Sequence, residues 1–422
     1  MTSRQLYVSL WDLIAPLAKT VDMMNRAVAD HHMSVAYLAF RISEELELPP
    51  PERREIAVAG LLHDIGAFSL NDRLDLLGFE ETHATQHSVA GYLLLKRFRP
   101  FAGIANLVRY HHVPWKDGEG ASQDGQPVPR GSHILHLADR VAVLLSTKEA
   151  ALGQVAGIRE KIERWKGTVF VPEFVDAMLR LAEKDYIWLE VTSGALEMIL
   201  KKALRLQVED LDLEELLEFA RLLCQVIDFR SEFTATHSSG VGAVAVALAR
   251  KVGFSKQECL MTQIAAYLHD LGKLAVPTEI LEKPGKLTPD DWHVMRTHVY
   301  FTYQILDPID ALNMITSWGA LHQERLDGSG YPFGLKGEDL PLGSRIMAVA
   351  DVFTGITEDR PYRKAMTPEK AQAVLRDMAG RNQLDERLVN MLLEDFDEVN
   401  RARAEAQTEA IRDYEKFVAQ LA

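Results

Sequence analysis

Six side chains in the second half of the chain, His237, His269, Asp270, His298, His322 and Asp351, are imidazoles and carboxylates set among apolar residues. Groups of this kind need partners if buried, and both types are suitable ligands for iron, manganese or zinc. His237, His269, Asp270 and Asp351 form the expected set for one ion, and Asp270, His298 and His322 the set for a second, with the Asp270 carboxylate shared. Spacing alone does not prove this grouping: an adjacent His-Asp pair can cap a helix, and the set could be satisfied core histidines. Two ions about 3.5–4 Å apart can activate a bridging water and stabilise charge on the attacking and leaving oxygens of a phosphodiester. Lys273 follows Asp270 by three residues, on or near the same helical face, where it could set a cation against a phosphate oxygen. A solvated surface lysine is the plainer account.

Helices are the elements that must position these groups. Apolar residues recur at three- and four-residue spacing over 211–227, 241–252, 264–271 and 371–378, the helical period, and alternating runs are scarce. The chain is therefore expected to be all-α, with loops at Pro49-Pro50-Pro51, 115–131, 283–289 and 327–341, where Gly and Pro cluster. An internal repeat orders the helices. His31 stands 32 residues before His63-Asp64, and His237 stands 32 before His269-Asp270. His87 lies 24 residues before His111, as His298 lies 24 before His322, and the segment 132–139 ending in Asp139 parallels 344–351 ending in Asp351. Recurrence of these stations in one order points to a tandem duplication with its boundary near 204–210.

A length of 422 residues exceeds what one hydrophobic core usually organises. The expected division is 1–204, 205–400 and a C-terminal helix over 401–422. With 47% hydrophobic and 26% charged residues the whole chain is expected to fold. A net charge of −14 argues against DNA as a partner, although a local cluster of cations can still hold a small phosphate ligand. No run reaches the roughly 20 apolar residues of a membrane span, and no signal peptide opens the chain, so a cytoplasmic location is expected. The two cysteines, Cys224 and Cys259, lie in apolar helical segments and read as buried free thiols.

Several motifs come in a fixed order: 267–273 around His269-Asp270, 283–288, the run His322-Gln323-Glu324-Arg325-Leu326-Asp327-Gly328-Ser329-Gly330-Tyr331-Pro332, and Asp351 followed by Asp359-Arg360-Pro361-Tyr362-Arg363. Over roughly residues 210–400 the chain resembles the HD-GYP family. The resemblance implies a fold of two tandem HD-type helical bundles and hydrolysis of cyclic dinucleotides, chiefly cyclic di-GMP, with cyclic GMP-AMP as the rival substrate and a non-hydrolysing receptor as the alternative. It implies two divalent ions, iron or manganese, on His237, His269, Asp270, His298, His322 and Asp351. Lys273 falls on a phosphate-binding position, and Arg360 and Arg363 on cations near the substrate. Gln323 departs from the family, which most often has a second histidine there, and weakens the expectation for the second ion. Phe233, rather than an acid, stands four residues before His237 and argues against a third. In the family, the Gly330-Tyr331-Pro332 loop is associated with docking of cyclic-dinucleotide synthase domains; a homodimer is a further expected partner.

The first half resembles an HD domain with His31, His63, Asp64, His87, His111, His112 and Asp139 on the ligand positions, so further metal ions are expected there. Yet Ala67 stands where the second half has Lys273, and the glycine-tyrosine-proline loop and the Arg-Pro-Tyr-Arg segment are absent. A second metallohydrolase, a metal-bound regulatory domain and a structural copy are the three readings. His32 adjoins His31, but the 32-residue spacing favours His31. His83, His133, His136 and His293 lack counterparts and read as surface or helix-face residues.

Overall fold

Helices in the second half begin where the sequence supplies caps. Asp212 with Glu215, Ser255 with Glu258 and Thr288 with Asp291 each form a reciprocal capping box, which satisfies backbone donors that the first turn leaves free. The structure, a computed structural model, describes residues 8–22, 30–67, 85–146, 148–204, 210–229, 236–281, 283, 285–359 and 364–421. Arg360, Arg363, Phe233 and His83 lie outside the described residues. The all-α expectation holds: the described strands are two-residue pairs, Val8–Ser9 against Asp210–Leu211 and Ser122–Gln123 against Gln126–Pro127. No described helix is long and apolar enough to cross a membrane.

The chain divides into two units, one over residues 14–208, the other joining 209–420 to residues 1–13. In the first unit, the helix His31–Glu45 packs on Pro50–Leu62 and Arg130–Leu144, and Thr85–Leu95 packs on Ala102–Arg109. In the second, His237–Lys251 packs on Lys256–Leu268, Leu342–Thr357 and the terminal helix Phe396–Val418, while Pro289–Leu306 lies against the short 3-10 turn Leu271–Ala275.

Two loop expectations need correction. Pro50 and Pro51 open the helix Pro50–Leu62, because proline lacks only an N–H that the first turn would leave unbonded anyway. The stretch 115–131 folds into a 3-10 segment, Lys116–Ala121, and the small hairpin that follows it. His133 and His136 are also corrected: they are buried, at 4% and 5% exposure. Their helix is buried without interruption from Gly131 to Val141, so it has no solvent face there. His293 is exposed, and both cysteines are buried and free.

Candidate metal centres

The helix Lys256–Leu268 ends at the His269-Asp270 turn, and three histidines there share one construction. Nδ1 of His269, His298 and His322 donates to the carbonyl three residues back, those of Ala266, Met295 and Gly319, at 2.7, 2.6 and 2.7 Å. A carbonyl can only accept, so the proton sits on Nδ1 and the Nε2 lone pair points inward. His269 Nε2 lies 3.1 Å from Asp270 Oδ2, His298 Nε2 3.2 Å from Asp270 Oδ1, and His237 Nε2 3.2 Å from Asp351 Oδ1. Nε2 of His269, His298 and His322 is nevertheless buried without a hydrogen-bond partner. Orphaned lone pairs around carboxylates fit a cation.

Two triads have ligand atoms within 4.8 Å of one another, His237, His269 and Asp351, and His269, Asp270 and His322. Burial opposes ionisation of Asp270, but the charges of His269 and Lys273 outweigh it and hold the carboxyl well below its usual range. Asp351 is likewise held low against burial by its bond to His237 and by His322. Burial lowers His322 to about 3, which leaves its imidazole neutral at ordinary pH. Lys273 Nζ lies 2.5 Å from Asp270 Oδ2 on a side chain 20% exposed. Gln323 Nε2 donates to Asp351 Oδ2 at 2.8 Å, so its amide is turned toward the acid.

The surrounding residues explain how these groups are held. A Cβ on Gly272 would sit 1.9 Å from the His298 carbonyl oxygen, so glycine allows the next helix to approach the turn. Thr302 Oγ1 accepts from Gly272 N at 2.8 Å and donates to the His269 carbonyl at 3.0 Å. Glu324, 1% exposed, accepts from the backbone N–H of Phe333, Gly334 and Leu335 at 2.7, 3.1 and 3.1 Å. Its carboxylate thus fixes the Gly330-Tyr331-Pro332 loop. The Tyr331 ring lies under the Arg296 guanidinium at 4.4 Å, and burial, with Asp351 nearby, pushes its phenol up to about 12.

The first unit repeats the construction. Nδ1 of His63 and His111 donates to Gly60 and Val108 carbonyls at 2.8 and 2.6 Å. His63 Nε2 lies 3.3 Å from Asp64 Oδ2, His87 Nε2 3.3 Å from Asp64 Oδ1, and His31 Nε2 3.1 Å from Asp139 Oδ1. The candidate ligand groups are Asp64, His87, His111 and His112, and His31, His63 and Asp64. His112, in the place of Gln323, lies 3.0 Å from His87. Arg140 binds Asp139 Oδ2 at 2.6 Å, where the second unit has Val352.

Three buried acids near the candidate ligands lie outside the set expected from the sequence. Asp22 and Asp228 each precede their first ligand histidine by nine residues, and both are 3% exposed. Asp22 binds His32 Nδ1 and Asp228 accepts from Ser238 Oγ, which gives His32 a supporting place beside His31. The repeat could have found this pair. Glu358 binds His237 Nδ1 at 2.9 Å, but Ser146 stands at its place in the first half, and no motif marks it.

Comparison with known proteins agrees with this architecture. Residues 28–144 and 221–388 each match an HD domain family. The chain is 30% identical over 389 residues to 3'3'-cGAMP-specific phosphodiesterase 1 of Vibrio cholerae, covering 89% of each chain. It is 41% identical over 191 residues to a cyclic di-GMP phosphodiesterase response regulator of Xanthomonas campestris, covering 44% of this chain and 49% of that one. A crystal structure of a cyclic GMP-AMP-specific phosphodiesterase of V. cholerae superposes with a TM-score of 0.63 at 22% identity, covering 95% of this chain and 98% of that chain, and so shares the fold. The chain belongs to the HD-GYP family of metal-dependent cyclic-dinucleotide phosphodiesterases, with a divergent HD domain ahead of the HD-GYP domain.

Proposed function

We propose that the second unit hydrolyses cyclic di-GMP to a linear dinucleotide or to GMP. The observation that carries this reading is the set of orphaned, buried imidazole nitrogens around Asp270, beside a partly exposed lysine. His237, His269, Asp270 and Asp351 would hold one ion, and Asp270, His298 and His322 a second, with Asp270 shared. Iron or manganese suits this mixed imidazole and carboxylate set. When bound, such ions supply an activated water and offset charge on the phosphoryl oxygens.

The chain's own residues do the remaining work. His269, His298 and His322 present Nε2 because their Nδ1 atoms are tied to carbonyls. Lys273 would turn from Asp270 to a non-bridging phosphate oxygen, a motion its side-chain exposure allows. Arg360 and Arg363 are the further cations of the proposal. Tyr331, seated under Arg296, walls the entrance, and the exposed Phe333 beside Tyr300 supports the loop as a docking edge for a synthase domain. A homodimer is carried with the same reading.

A second reading, 3'3'-cGAMP as substrate, is favoured by a specific observation: the relative with 89% coverage spans both units and is named for that activity. The first unit would bind metal at His31, His63, Asp64, His87, His111, His112 and Asp139 and modulate the second. Its repeated geometry supports metal, and Ala67 in place of Lys273 supports a regulatory over a hydrolytic role. Turnover of both substrates in one reaction, with products separated by chromatography, tests the choice. A kcat/KM at least about tenfold higher for cyclic di-GMP, or 1.4 kcal/mol, upholds the first reading; the reverse ratio replaces it with the second.

A further inference from the structure

Of the histidines at the second centre, His237 is held differently. It is the first residue of its helix, His237–Lys251, and its Nδ1 meets the carboxylate of Glu358 at 2.9 Å. His269, His298 and His322 meet carbonyls instead. Glu358 follows the last turn of Leu342–Thr357 and is 6% exposed. Its other oxygen accepts from Gln407 Nε2 at 2.9 Å, and the Gln407 oxygen in turn accepts from Arg403 Nη1. Both residues lie on the terminal helix Phe396–Val418 and are buried, at 8% and 7% exposure.

A further contact shows that this arrangement is built into the packing. A Cβ on Gly240, one turn into the His237 helix, would sit 2.9 Å from Gln407 Nε2 and 3.0 Å from Thr354 Cγ2. Glycine there lets the terminal helix approach closely enough for Gln407 to reach Glu358. A carboxylate behind a ligating imidazole fixes its tautomer and orientation and raises its basicity. The direction is consistent, since His237 Nε2 faces Asp351 Oδ1 at 3.2 Å while Nδ1 faces Glu358.

We propose that Glu358 is a positioning residue for metal binding at His237, and that Gln407 and Arg403 make the terminal helix part of that centre. The proposal deepens the metal-site reading above and asks nothing of the substrate. Removing the carboxylate should weaken the ion held by His237, His269 and Asp351, and leave the ion at Asp270, His298 and His322 nearly unchanged.

The test is a Mn(II) titration of full-length metal-free protein, followed by calorimetry and by the electron paramagnetic resonance of free Mn(II). Glu358→Ala should weaken one binding step by about 10–100-fold. The isosteric Glu358→Gln, which keeps shape and an acceptor, should weaken it less, and Gln407→Ala should fall between wild type and Glu358→Ala. Val399→Ala, a buried residue on the same terminal helix, controls for loss of stability alone and should leave both steps at wild-type affinity. Wild-type affinity in Glu358→Ala overturns the proposal, as does an equal loss in Val399→Ala. If Glu358→Ala does not fold, undiminished binding by both Glu358→Gln and Gln407→Ala overturns it. Since no substrate is used, binding that behaves as expected without any dinucleotide cleavage would sink only the functional reading.

Discussion

Asp270 Oδ1 lies 3.2 Å from His298 Nε2, a contact that joins the end of one helix to the middle of another. The same relation links Asp64 to His87 at 3.3 Å. In both units the approach depends on the glycine two residues after the aspartate: a Cβ on Gly66 would lie 2.2 Å from the His87 carbonyl, and one on Gly272 1.9 Å from that of His298.

Gly272→Ala should therefore displace His298 from Asp270. The backbone carbonyl cannot yield as a flexible side chain would, so overpacking should cost about 1–3 kcal/mol. Chemical denaturation of the metal-free protein measures the cost, and Mn(II) titration should show the second ion weakened. Unchanged stability and affinity would contradict the packing argument.

Glu324 accepts from three consecutive loop N–H groups. Glu324→Ala should destabilise the protein by roughly 2–4 kcal/mol, because hydrogen bonds to a buried charge are strong and orphaned donors are costly. KM should rise more than kcat falls if the loop walls the entrance, as proposed, and supplies no ligand. A fall in kcat with KM unchanged would place Glu324 in the chemistry instead.

Gln323 now donates to Asp351, whereas His112 at the matching place in the first unit lies 3.0 Å from His87. Gln323→His should add an imidazole beside His298 and tighten the second ion by at least about tenfold, or 1.4 kcal/mol. Equal or weaker binding in that variant would show that the amide's bond to Asp351 matters more than an added ligand.

Burial raises Asp228 to about 6, against the opposing charge of His237. A carboxyl raised on folding contributes stability that is full below its unfolded value near 4 and is lost as pH rises through about 6. Between about pH 5 and pH 7.5, metal-free wild type should lose about 1.4 kcal/mol that Asp228→Asn does not lose. Denaturant midpoints at the two pH values measure the difference, and parallel slopes would refute the assignment.

Much of the site was legible because duplication wrote it twice. His31 and His237, and the two His-Asp pairs, keep a 32-residue spacing, and the structure brings all six second-half candidates among the described residues to one centre. Asp22 and Asp228 were available to the same comparison. Glu358 was not, since its contact spans 121 residues to His237 and depends on how the terminal helix packs. His133 and His136 misled for a related reason: periodicity shows which residues share a helix face, but a helix buried all round gives its polar residues no outside. The role of Glu324 was hidden because a loop's acceptor is set by tertiary folding, with no periodic pattern to mark it.

The most direct measurement of the central claim is product chromatography after incubating Mn(II)- or Fe(II)-loaded protein with cyclic di-GMP and 3'3'-cGAMP, run beside Asp270→Ala and Asp64→Ala. Wild type should linearise at least one of them. Asp270→Ala should lose more than the roughly 10–100-fold that follows loss of an outer partner, while Asp64→Ala keeps turnover. Activity retained by Asp270→Ala and lost in Asp64→Ala would move catalysis to the first unit, and no product from wild type with either substrate would contradict the account.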